Sequence, residues 1–125
     1  MNPVQWFVLI QAVTFGAASL VHRGLLVQGL EHRQAAIAET VIGAVLLGGL
    51  VVMSIRPAWV RGVGLAAQGF ALLGTGVGVT MIAIGVGPRT VPDIVFHASL
   101  VALLVAGLVR TAQRRRPSLN SSTAR

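Results

Sequence analysis

Four apolar runs of membrane-crossing length, separated by short polar breaks, leave this chain little choice of fold. The runs cover about residues 4–26, 35–55, 63–86 and 92–112. A helix needs roughly 20 mostly apolar residues to cross a hydrocarbon core, and each run reaches that length. In lipid every backbone N–H and C=O must find its partner within the protein, so such a run spans as a helix. Composition agrees. Only 10% of the 125 residues are charged, with a mean hydropathy of +0.81, whereas a soluble domain carries about 25% charged residues. The expected fold class is all-α: a four-helix transmembrane bundle over residues 1–112, then a basic polar tail over 113–125.

Local punctuation marks the breaks. Arg56-Pro57 ends the second run, because the residue before proline is pushed away from helix and proline cannot continue it. In Gly87-Pro88-Arg89-Thr90-Val91-Pro92-Asp93, Thr90 or Val91 precedes the fourth helix, Pro92 suits its first position and Asp93 its first turn. Glycines in the second and third runs let neighbouring helices approach closely. Met1-Asn2-Pro3 lacks a positive n-region, so a cleaved signal peptide is not expected. Pro117–Arg125 is polar and expected to be disordered.

The net charge of +7 lies mostly at one end of the chain and reads as topology. No aromatic residues interleave with the basic run, so a nucleic-acid partner is not expected. The absence of cysteine removes disulfides, thiolate metal sites and Cys nucleophiles. Arginine supplies every basic residue and Ala, Val and Gly abound, as in a high-GC bacterial genome, so the expected location is the inner (plasma) membrane. Seven arginines (Arg56, Arg61, Arg110, Arg114, Arg115, Arg116, Arg125) fall on one side and three (Arg23, Arg33, Arg89) on the other. The positive-inside rule then makes both termini cytoplasmic, with Trp6 and Trp59 as anchors at that interface.

That orientation gathers all three acidic residues (Glu31, Glu39, Asp93) and all three histidines (His22, His32, His97) at the outer side. Glu39 lies about a turn inside the second run, where a charge costs a few kcal/mol to insert. His22, Glu39 and His97 are expected to share one polar pocket, with Asp93 secondary and Arg23, Arg33 and Arg89 at the rim. Gln11, Gln68 and Thr75 offer polar groups deeper in. Simpler roles stand beside this reading. Asp93 can be a helix-start residue, His97 a structural hydrogen-bond donor, and His22 a side chain reaching for the interface. Glu31, His32 and Arg33 can be a solvated loop, and Glu39 can pair structurally with Arg23, Arg33 or Arg89.

Three chemistries fit the pocket. His22, His97 and Glu39 could ligate a divalent metal. His22 and His97 could be axial ligands of a haem. Glu39 and His97 could work as acid and base on a lipophilic substrate such as a quinone or isoprenoid. The sequence requires no cofactor.

Phe15-Gly16-Ala17-Ala18-Ser19-Leu20-Val21-His22-Arg23-Gly24 resembles the F…G…H-x-G stretch of DoxX-like membrane proteins. Glu39-Thr40-Val41-Ile42-Gly43-Ala44-Val45-Leu46-Leu47-Gly48-Gly49-Leu50 resembles that family's E…GG…LL…GL helix, and Arg56 falls at a commonly basic position. The resemblance covers about residues 12–70 and leaves the fourth helix unmatched. It implies a four-helix bundle, a redox or quinone setting, and His22 and Glu39 as the positions carried over; the lack of cysteine speaks against direct thiol chemistry. The sequence leaves enzyme status open between three roles. One is acid–base or redox chemistry on a lipophilic molecule. The others are an accessory subunit of a larger membrane complex and a small proton-coupled transporter. Expected partners are the bilayer, a lipophilic small molecule and other membrane subunits or a second copy.

Overall fold

Three of the four helices start where a side chain can satisfy their first free N–H groups. The computed structural model describes residues 1–87 and 89–114. Helix α1 (Pro3–His22) is capped by Asn2, whose side chain accepts from the N–H groups of Val4 and Gln5; the Gln5 side chain accepts from Asn2 N–H in return. This reciprocal pair is a capping box. Helix α2 (Arg33–Ile55) is capped by His32, whose Nδ1 accepts from Ala35 N–H at 3.2 Å. Helix α4 (Val91–Ala112) is capped by Thr90, with Asp93 closing a second capping box. Helix α3 (Val60–Ala83) continues directly from a 3-10 turn at Pro57–Trp59.

The helix ends correct the apolar runs in two places. α1 stops at His22, not near residue 26, and α3 stops at Ala83, not at 86. The cause is the same in both. Gly24 (φ +71°) and Gly85 (φ +89°) take the left-handed conformation that ends a helix. Leu25 N–H then bonds back to Leu20 C=O and Gly24 N–H to Val21 C=O; Val86 to Met81 and Gly85 to Ile82 repeat the pattern. Both are Schellman motifs, in which an apolar residue commonly follows the glycine. That apolar residue disguises the stop. The helix starts shift too: α2 begins at Arg33 and α3 at Val60, earlier than the expected 35 and 63. Of the expected tail, residues 115–125 lie outside the described residues.

All four helices are long and apolar enough to cross a membrane. Each packs on the next, and α4 closes back onto α1; α1 also touches α3, whereas α2 and α4 stand diagonally apart. Val8, Phe15, Leu46, Met53 and Leu104 form the centre of the core. Gly43 lets α2 ride against Ala12 and Phe15 of α1. In the core, Gln11 Nε2 donates to Gln68 Oε1 (3.1 Å) and Leu103 C=O (3.2 Å), and Gln68 Nε2 donates to Thr111 Oγ1 (2.8 Å) and Gly64 C=O (3.0 Å). These groups tie α1, α3 and α4 together. Gln11 Oε1 alone lacks a partner among the described buried side chains. The buried residues of α4 are Leu100, Leu104, Gly107 and Thr111. Its first turns bury less, with Phe96 half-buried against the core, and lie at the same end of the bundle as the close of α1, the start of α2 and the close of α3.

Candidate functional site

The end of the bundle formed by the close of α1, the start of α2, the close of α3 and the start of α4 holds all three histidines. Glu39, on the core face of α2, is 7% exposed. Its two carboxylate oxygens lie 2.9 and 2.8 Å from His22 Nδ1. His22 is 9% exposed in the last turn of α1, on the face that also buries Phe15, Ala18 and Ser19. Its carbonyl accepts from His32 N–H at 2.9 Å, which fixes the start of α2 against the end of α1.

Glu39 thus pairs with a histidine and not with any of the arginines considered as its structural partners. Arg23 is one residue past His22 and turns outward, donating to Ser19 Oγ and Thr40 Oγ1. Arg89 donates to the carbonyls of Ile82 and Ala83, capping the end of α3. Among the described residues His22–Glu39 is the one carboxylate–base pair within 4.0 Å, and Arg33 has no hydrogen-bonding partner.

A cavity of about 280 Å³ opens beside this pair. His22, His32, His97 and Asp93 line it, while Ala35, Ala38, Gly74, Val77, Met81 and Ile82 make most of the remaining wall apolar. Gly78 belongs to the wall as well, and His97 Nε2 lies 4.0 Å from where a Cβ on it would stand. His97 makes no hydrogen bond to Glu39. Its Nδ1–H donates to its own helix at Asp93 C=O (2.7 Å), which leaves Nε2 as the free ring atom. The Asp93 carboxylate accepts from the Thr90 hydroxyl and N–H, so Asp93 serves the helix start while it also borders the cavity. Of the expected cluster, His22 and Glu39 touch, and His97 and Asp93 share the cavity with His22. Gln11 and Gln68 bond each other elsewhere in the core, and Thr75 donates to Ala71 of its own helix.

His32 is the residue that the loop reading passed over. Its ring meets that of His22 edge-on, 6.5 Å between centroids. Nδ1 accepts from Ala35 N–H, so Nε2 carries the proton, and Nε2 lies 3.5 Å from the Cβ position of Gly87 on the cavity wall. The signal available in the sequence was its place immediately before a helix that begins at Arg33.

The geometry bears most directly on the acid–base reading. With Nδ1–H donated to a carboxylate, His22 keeps its Nε2 lone pair, the arrangement of a histidine oriented as a proton acceptor. Among the described residues no three His, Asp or Glu side chains gather to hold a metal ion. A volume of about 280 Å³ falls just below the roughly 300–1,000 Å³ of drug-sized ligand pockets. It suits a single ring with short substituents.

The chain matches no family model, no curated protein and no solved structure.

Proposed function

We propose that this protein takes the head group of a lipophilic molecule bearing carbonyl or hydroxyl oxygens, of the quinone class, into the histidine-lined cavity and exchanges a proton with it. The observation that carries this reading is the buried His22–Glu39 pair beside a mostly apolar cavity that His32 and His97 also line. His22 Nε2 is the proton acceptor, Glu39 stabilises the imidazolium that results, and His32 Nε2–H offers a hydrogen bond to a ring oxygen. The apolar wall suits a ring and the first carbons of a tail. The likeness of the first two helices to DoxX-like proteins points to the same quinone setting. In this reading the histidine end faces outward and both termini are cytoplasmic, in a bacterial plasma membrane, as the arginine asymmetry favours.

Calorimetric titration of the purified protein with a short-chain quinone and its quinol tests the reading. Binding is expected, and His97→Ala and Glu39→Gln are each expected to weaken it about tenfold, the loss of one good polar interaction. Absence of binding by the wild type, or affinities unchanged in both variants, overturns it.

A second reading, an accessory subunit, draws on α3. A Cβ at Gly62, Gly69 or Gly76 would meet nothing, so these seven-spaced glycines give α3 a groove on its outer surface. It requires that Gly69→Leu abolish co-purification with a membrane partner while leaving the fold intact.

A further inference from the structure

A second concave site lies on the other side of His22, between the last turn of α1 and the first turn of α2. This cleft of about 610 Å³ is bordered by Arg23, Arg33, Glu31, Leu25 and Ile37. We propose that it binds the phosphodiester head group of an anionic membrane lipid. The proposal stands independently of the cavity and its ligand.

Arg23 is held in position for the task. Its Nε donates to Ser19 Oγ (3.3 Å) and its Nη2 to Thr40 Oγ1 (3.1 Å), while Ser19 Oγ in turn bonds Ala36 C=O across to α2 (3.0 Å). A guanidinium has five N–H donors, so three remain for a ligand. Arg33, the first residue of α2, has no hydrogen bond or ion pair among the described residues. Glu31 also borders the cleft, but both its oxygens accept from Gly29 N–H (3.1 and 2.9 Å), and those bonds hold its carboxyl below the usual range. Two guanidinium groups against one occupied carboxylate leave the cleft positive. Beside the charges, Leu25 and Ile37 are 69% and 51% exposed. Basic groups over exposed apolar groups, at the end of membrane-spanning helices, match a phosphate over its acyl chains. A free phosphate ion would make no use of Leu25 and Ile37.

The test is native mass spectrometry of the full chain in mild detergent, titrated with phosphatidylglycerol and phosphatidylcholine of the same acyl chains. Each arginine near a lipid phosphate contributes about fivefold, so Arg33→Gln is expected to reduce the phosphatidylglycerol preference about fivefold. The Arg23→Gln/Arg33→Gln pair is expected to abolish it. Arg33 bonds to nothing that folding needs, so its single variant keeps the result readable even where the Arg23 change perturbs the α1–α2 contact. Arg56→Gln, at the opposite end of the bundle, is expected to leave the preference unchanged. Equal retention of the two lipids by the wild type, an unaltered preference in Arg33→Gln, or displacement of the lipid by millimolar inorganic phosphate overturns the proposal.

Discussion

Glu39 meets part of its insertion cost with a hydrogen-bond donor, His22 Nδ1–H, on the buried face of α1. Helical geometry explains why His22 and not Arg23 fills that role: Phe15, Ala18, Ser19 and His22 share the core face, and Arg23 is turned about 100° away from it. The period of 3.6 was legible in the sequence, but the sequence left Arg23 open as a partner for Glu39. That Glu39 would choose His22 over Arg33 or Arg89 was not legible, because the choice depends on which helices adjoin. Breaking one side of a buried pair strands the other charge, at about 3–5 kcal/mol, whereas replacing both partners with apolar residues is often neutral. His22→Leu, which leaves the Glu39 carboxylate unpaired, is therefore expected to cost about 3 kcal/mol or more, and His22→Leu/Glu39→Leu to recover most of it. Denaturant unfolding in detergent checks both. If the double variant is as unstable as the single, the pair contributes something other than the mutual satisfaction of two buried polar groups. If it folds well yet no longer binds a quinone, the pair is kept for chemistry and not for stability.

At the scale of the helix, glycines divide into those that stop a helix, those that admit a neighbour and those that face open space. Their identity in the sequence does not separate the three. Gly24 and Gly85 sat inside apolar runs and read as helix interior, because Leu25, Leu26, Val27 and Val86 keep hydropathy high past the stop. Gly107 admits a neighbour. A Cβ there would stand 2.1 Å from Gln68 Oε1 and 2.5 Å from Gln11 Nε2. Gly107→Ala must therefore push apart the two amides that tie α1 and α3 to α4. A buried polar group left unpaired costs about 1–3 kcal/mol, so Gly107→Ala is expected to lower stability by about 2 kcal/mol or more. Gly69→Ala, where a Cβ meets nothing, is expected to stay within about 0.5 kcal/mol of wild type. Thermal unfolding in detergent reads both. Equal effects would mean that the amides find other partners when α4 carries a methyl group at that position.

For the whole molecule, hydropathy supplied the four spans, and the proline and Thr90 signals supplied the start of α4. Neither could supply the order in which helices adjoin. The cavity depends on that order: α2 and α4 stand diagonally apart, and the gap at their N-terminal ends is where His32 and His97 face the same space as His22. The direction of that opening is a separate question, carried by seven arginines against three. Because the chain has no cysteine, single introduced thiols can answer it without background. Gln28, exposed in the α1–α2 loop, and Gln113, exposed just past α4, lie at opposite ends of the bundle. In intact cells a membrane-impermeant maleimide is expected to label Gln28→Cys and to reach Gln113→Cys only after permeabilisation. That result sets the cavity's proton exchange and the arginine cleft on the outer face. The reverse pattern would turn both toward the cytoplasm. Any proton released by a bound quinol would then enter the cell interior, and the anionic lipid at Arg23 and Arg33 would come from the inner leaflet.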